Sequence, residues 1–506
     1  MRQILQGRAA VAVLILAVGA SVRTWAFDAP PDPAAQQGAP PPGAGAQSPP
    51  AVSPSEAKPQ EPTVEGPKKP FAAGDGITFA SSDGLYSMQF GVYGQFRFRV
   101  YDVQQWRRTD RSIITPPIPV EDIGETLTTF TIPLLRVYLR GNAFKPWLTY
   151  RIEANLVAND EGLREVFIPA VDPTAGFPGV NLRAGAESLD GRTFKLMDFY
   201  LDGLPRPYAG FRMGQFKVPF GRQELVPDPL LQLPERSVAS NFFAPGRDRG
   251  VMFRGSSTEG KIGYQAGAFN GTGLVQAQNV DNSLAYSFRF TGTSGGPYLS
   301  TESVLDDPET FHAQGAVAWY SNTRQTTQTS DPLSLIGNIE DHRLDADLEF
   351  FWHRANLLME YFSEEIQTDD SVQSRMEVIC FGAFEQGLLT CKQKGFNVQG
   401  GVRLGDKHEI AGRYSRVDPD RDLEQDNLIE ATLGYTLYFK KHALKWMTTL
   451  SAITLQVNAP GSSGLAVQRG DASIPIVPGF PNPGGFEPKL TDDHNKLFIT
   501  QIQWMF

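Results

Sequence analysis

What most constrains this chain is a repeated alternation. From Tyr86 to the carboxyl terminus, segments of about ten residues carry apolar side chains at every second position, with polar ones between. That period gives a strand one apolar and one polar face. In Tyr86–Tyr101, Met88, Phe90, Val92, Phe96, Phe98 and Val100 fall on one face, and Gln89, Tyr93, Gln95, Arg97 and Arg99 on the other. Leu135, Val137 and Leu139 alternate with Arg136, Tyr138, Arg140 and Asn142. After a Lys145-Pro146 turn, Leu148, Tyr150, Ile152 and Leu156 alternate with Arg151, Glu153 and Asn155. Similar segments lie at 194–202, 208–217, 249–256, 261–269, 283–292, 311–321, 341–352, 354–364, 395–404, 407–416, 427–439, 443–454 and 495–506, about sixteen in all. After Gly74 no ten residues run apolar without a break, so the sequence offers no transmembrane helix there.

The connections say more than the strands. Long polar stretches (102–127, 159–193, 218–248, 322–340, 365–394, 455–494) alternate with very short ones (143–146, 203–207, 257–260, 405–406, 440–442). Stretches 270–282 and 417–426 are moderate, and 293–310 breaks the rule. An all-β transmembrane antiparallel barrel has this asymmetry, with short periplasmic turns and long outer loops; a soluble sandwich has no reason for it. The alternative is a soluble all-β protein of several domains. Phe498, Ile502, Trp504 and Phe506 share one face of the last segment, with Gln501 and Gln503 inside. This aromatic ending resembles the signal read by the outer-membrane assembly machinery, which implies that partner for Phe506. Trp106, Trp147, Tyr208, Trp319, Trp352, Tyr438 and Trp446 suit interfacial girdles.

The amino terminus reads as an address label. Arg2 and Arg8 precede the apolar run Ala9–Ala20, the length of a signal-peptide core, with cleavage after Ala26 or Ala20. Residues 27–74 are rich in Pro, Ala, Gly and Gln and hold almost no large apolar side chains. They predict an extended linker, a passive spacer or a reach toward the cell wall. The domains are then 1–26 signal peptide, 27–74 linker and 75–506 barrel, placed in the outer membrane of a Gram-negative-type bacterium. With 46 basic and 56 acidic residues the net charge is −10, which argues against a nucleic-acid-coating role.

The stretch Gly214 to Gly255 resembles the phosphate-selective porin O/P family at Gly214-Gln215-Phe216-Lys217-Val218-Pro219-Phe220-Gly221 and at Arg247-Asp248-Arg249-Gly250-Val251. Gly267–Gly271 and Arg413–Asp418 are weaker likenesses. The resemblance implies a trimeric outer-membrane barrel, a third loop folded inward, and a basic lumen for phosphate. Leu225, Leu230, Leu231, Leu233 and Phe242-Phe243 are too apolar for a solvated loop and would pack on the barrel wall.

Alternation places Arg97, Arg99, Arg136, Arg140, Arg151, Arg254, Arg289, Arg403 and Arg413 inward, as an anion path. Arginine stays charged and offers carboxylate or phosphate a two-donor fork. Lys217, Arg222, Arg236, Arg247 and Arg249 join them at the constriction loop. Against these stand Glu153, Glu409, Glu430 and a group on the opposite side, Asp345, Asp347, Glu349 and Glu360. That opposition predicts a transverse field across the pore, or mutual neutralisation within each wall.

Other motifs are set aside. The stretch from Asp418 lacks the glycine and glutamate of a calcium loop, at Leu423 and Ile429, and a solvated outer loop meeting lipopolysaccharide is expected. Cys380 and Cys391 predict a disulfide within one outer loop and no metal site. The Arg469-Gly470-Asp471 triplet reads as chance. The six histidines form no Ser/His/Asp constellation and no G-x-S-x-G elbow is present, so neither an enzyme nor a cofactor is expected. The reading is a porin, a trimer by resemblance, passing small hydrophilic solutes with preference for phosphate or another oxyanion. The alternatives are a general, weakly selective porin and a structural tether that uses the Pro-rich segment.

Overall fold

Strands with one apolar and one polar face can satisfy both in lipid by closing on themselves, apolar face outward. In a computed structural model the chain does so. The structure describes residues 76–103, 106–108, 120–122, 125–157, 195–274, 279, 283–303, 305, 311–326, 337–370, 380, 383, 386–456 and 492–506. The segments expected at 1–26 and 27–74 lie outside them.

Sixteen barrel strands follow in order: β1 (Ser87–Val103), β2 (Glu125–Ala143), β3 (Lys145–Asn155), β4 (Lys195–Arg206), β5 (Ala209–Lys217), β6 (Arg247–Ser256), β7 (Ile262–Phe269) and β8 (Ala285–Ser294). The second half comprises β9 (His312–Thr326), β10 (Gly337–Trp352), β11 (Ala355–Thr368), β12 (Thr390–Leu404), β13 (His408–Asp418), β14 (Leu428–Lys440), β15 (Leu444–Leu455) and β16 (Asp493–Met505). Each pairs antiparallel with its neighbours in sequence, and β16 closes on β1 from Lys496↔Asp102 to Met505↔Tyr93. The backbone of Phe506 completes the seam, exchanging two 3.0 Å hydrogen bonds with Val92. Below that point the short strand Ile77–Ala80 pairs with Ser87–Phe90, so the free edge of β1 is covered to its base.

The sequence placed every one of these strands, and the differences are at ends. The first tight turn falls at Phe144 (φ 65°), one residue before the expected Lys145-Pro146, which already belong to β3. Strand β2 starts at Glu125, well before the alternation around Leu135 becomes visible. Its outer half holds threonines and Pro133, and the register against β1 shifts between Gln95 and Arg97; a proline cannot donate to the ladder and sits at the irregularity.

Outside, Phe130, Leu344, Leu348, Leu433 and Leu450 are among many exposed apolar side chains, a belt suited to lipid. At the turn end Tyr86, Phe144, Trp147, Tyr208, Phe311, Trp352, Phe439, Trp504 and Phe506 form an exposed aromatic girdle. Tyr438 does not join it: it is buried in the interior, its hydroxyl donating to Glu409 Oε2 at 2.5 Å. The main buried apolar cluster lies inside the barrel, where Phe220, Val238, Phe242 and Phe243 of one loop meet Phe362, Val417 and Leu428 of the wall.

Candidate functional site

The interior is organised by the third long loop, L3, residues 218–246 between β5 and β6. The Val218 N–H donates to the Gly246 carbonyl at 2.9 Å and closes its base. Gly221 takes φ 73°, a left-handed turn that aims the chain down the lumen, and helix α1 (Arg222–Leu225) follows. Glu360 of the wall accepts the first helical N–H groups, from Arg222 at 2.5 Å and from Gln223 at 3.3 Å. Helix α2 (Val238–Phe243) is anchored the same way. Ser237 caps Ser240 N–H, Glu430 accepts Val238 N–H at 2.9 Å, and Ser415 accepts Ala239 N–H at 3.2 Å. Donors that lack an intrahelical partner are thus met by the wall of β11 to β14.

Between the helices the loop reaches the turn end of the barrel. Lys445 Nζ donates to the Leu231 carbonyl at 2.6 Å, and Gln503 Nε2 to the Pro229 carbonyl at 3.0 Å. Gln232 Nε2 bonds Asn356 and Glu409, both at 2.8 Å. Leu231, Leu233, Phe242 and Phe243 are buried against the wall, as expected from their composition, whereas Leu225 and Leu230 are only partly buried. Phe243 stacks on Phe362 with ring centroids 5.3 Å apart.

L3 therefore divides the lumen in two. Behind it, against β8 to β15, the charges are sealed. Arg289 is clamped by Asp345 (2.8 Å) and Asp347 (2.5 Å), Arg222 by Glu349, and Arg413 by Glu430 (2.5 Å). Arg343 pairs with Asp341 and lies 3.3 Å from Glu364, and Arg403 Nη1 bonds the Leu305 carbonyl at 2.5 Å. Asp345, Asp347, Glu349 and Glu360 are all under 4% exposed, so this acidic group does not face the basic wall across open water; the loop lies between them. With Asp341, Glu364, Glu302, Glu409 and Glu430, it outnumbers the six cations buried there, Arg222, Arg289, Arg343, Arg403, Arg413 and Lys445.

In front of L3, along β1 to β6, side chains keep access to water. Arg151 is 25% exposed, Arg254 24% and Arg212 20%, with Arg236, Lys217 and Arg247 somewhat less. Arg99 and Arg140 are half-buried on the same wall. The acids on this side are Glu224, Asp228 and Glu235 of the loop and Asp198 and Asp202 of β4. Among the described residues, these eight bases outnumber the five acids that share their access to water, and Glu153, 1% exposed, lies deeper on the same side beside Arg151. The deeper Arg97 pairs with Glu235, and Arg136 sits between Glu153 (2.9 Å) and Asp228 (2.6 Å). Burial raises the Asp228 carboxyl, but the guanidiniums of Arg136 and Arg236 outweigh it and hold it well below the usual carboxylate range.

The residues expected at the constriction separate into two sets. Lys217, Arg236 and Arg247 stand on the open side, Arg247 bonded to Asp198 at 2.8 Å. Arg222 is behind the loop, and Arg249 Nη1 lies 3.4 Å from the Gly273 carbonyl. Sequence reading missed Arg212, which bonds Asp202 at 2.8 Å and lies 4.2 Å over the Tyr200 ring, together with Asp198 and Asp202. Alternation with the exposed Phe199, Leu201 and Met213 was the signal that would have found all three. Cys380 and Cys391 are disulfide-bonded, with Cα atoms 5.9 Å apart, buried with Ile339, Ile366 and Ala383.

No protein-family model and no curated protein matches the chain. Among solved structures it is similar to an anion-selective porin from Comamonas acidovorans, at 11% identity and TM-score 0.45, covering 83% of this chain and 100% of that one. The outer membrane channel DcaP of Acinetobacter baumannii is similar at 9% identity and TM-score 0.44, over 84% of this chain and 99% of that one. OmpT of Vibrio cholerae, in a trimer form, is similar at 10% identity and TM-score 0.45, over 82% and 99%.

Proposed function

We propose that this barrel is an outer-membrane porin that passes small hydrophilic solutes by facilitated diffusion and prefers anions, phosphate or another oxyanion among them. One observation carries the preference: L3 covers the half of the lumen with surplus acids and leaves open the half with surplus bases. A solute moving along β1 to β6 meets Arg140, Arg151, Arg212 and Arg254 without passing a bare acidic wall. Each of these guanidiniums can engage an oxyanion through paired N–H donors. Their carboxylate neighbours, Asp202 and Glu153 above all, keep the binding weak enough for release, which conduction requires. No covalent step is involved. The same reading expects a homotrimer, inserted through its aromatic carboxyl terminus.

The test is the reversal potential in a planar bilayer under a KCl gradient, followed by titration with phosphate. Anion selectivity with phosphate block supports the proposal. Cation selectivity without block removes the anion preference, and a folded barrel with no channel activity overturns the porin reading.

A further inference from the structure

The connection between β8 and β9 lies at the turn end, where its counterparts are tight, yet it does not turn back at once. Its residues 297–303 and 305 enter the lumen and meet L3 from below. Arg222 of L3 donates to the Leu299 carbonyl at 2.6 Å and lies 4.7 Å over the Tyr298 ring. Gln314 of β9 holds Leu299 at both its N–H (2.7 Å) and its carbonyl (3.0 Å). Glu302, 1% exposed, is the centre of the junction. Its Oε1 accepts from Gln223 Nε2 at 2.9 Å, and its Oε2 from the Gln232 N–H at 2.8 Å and from Gln399 Nε2 at 3.0 Å. One carboxylate thus ties the start of L3, its tip and strand β12 to a segment from the opposite end of the barrel. Ser303 adds a bond to Glu409 at 3.1 Å.

We propose that residues 297–303 and 305 form a strut that fixes L3 against the wall, with Glu302 as the positioning residue. The strut determines which half of the lumen stays open, and so the width and steadiness of the pathway; in this it rests on the porin reading. A buried carboxylate whose partners are three neutral amide N–H groups is a costly device for packing alone. It has a use here because it accepts from two parts of the loop at once, which an apolar side chain cannot do.

The experiment compares the full-length barrel with E302A in bilayers, and both in an L233C background with a water-soluble maleimide. Leu233 is 2% exposed behind the loop, and the two native cysteines are bonded to each other. Removing the carboxylate leaves three buried donors without an acceptor. E302A is expected to raise open-channel current noise about threefold and to label L233C about tenfold faster, through local opening of L3 in a barrel that still shows its heat-dependent gel shift. Parent-level noise together with parent-level labelling in E302A overturns the strut. If the parent barrel conducts nothing, the porin reading falls, and the labelling comparison still decides the strut because it needs no current. If E302A does not assemble, E302Q keeps the shape and one acceptor oxygen but turns the other into a donor facing these N–H groups, and the same labelling comparison decides.

Discussion

Arg136 of β2 and Asp228 at the tip of L3 lie 2.6 Å apart, joining a barrel wall to a loop from 92 positions further along the chain. The same carboxylate lies 2.6 Å from Arg236. Two guanidiniums on the open side of the lumen therefore share this acid, Arg136 having Glu153 and Arg236 having Glu224 as second partners. Asp228→Asn keeps the shape and removes the charge. At water-like screening a unit charge at 4 Å is worth about 1 kcal/mol, roughly fivefold in a permeability ratio. The chloride-to-potassium ratio from reversal potentials is expected to rise by about that factor; an unchanged ratio means the open path does not pass Asp228.

Two arginines that the sequence treats alike are expected to behave differently. Arg254→Gln, on the open side, should lower chloride selectivity with little loss of stability, because its partner Asp202 keeps Arg212 at 2.8 Å. Arg289→Gln leaves Asp345 and Asp347 buried without their cation, a change that costs about 3–5 kcal/mol. It should lower the temperature of the heat-dependent gel shift and leave selectivity alone in the barrels that fold. Equal selectivity effects from the two variants would contradict the division of the lumen by L3.

The pH behaviour of the loop between β13 and β14 follows from Asp426. Burial pushes its carboxyl up to about 8, with Asp418 and Asp420 adding to the rise, and its Oδ2 accepts the Asp420 N–H at 2.9 Å. The folded loop therefore holds a proton that the unfolded loop gives up near pH 4. Loop stability should fall as pH rises from about 4 to about 8 and level off above. Hydrogen-exchange protection of the Asp420 and Asp422 amides measures this, and Asp426→Asn should abolish the slope.

Replacing both Cys380 and Cys391 by alanine opens an 11-residue separation whose closure is worth about 3 kcal/mol in the chain-entropy model. The bond ties the middle of one outer loop to the start of β12, outside β1 to β6. Proteolysis of that loop should speed up while conductance and selectivity stay at parent values.

Deleting residues 27–70 tests the tether. The porin reading expects unchanged single-channel conductance, whereas a protein whose role is to anchor the membrane would lose its cellular phenotype.

The sequence by itself determined the barrel. Alternation told each strand which side chains point inward, Arg97, Arg151 and Arg254 among them, and loop lengths set which end carries the loops. It also marked 293–310 as the connection that does not fit, without saying where the segment goes. Only the tertiary structure decided which inward charges meet water. Arg254 and Arg289 follow the same local pattern, yet one faces the pathway and the other lies clamped under L3. The reason is physical: alternation is a property of neighbouring residues. Exposure inside a closed barrel depends on where a distant loop lies, and L3 is held by Glu360, Glu430 and Glu302, each at least 70 residues beyond its bonding partner.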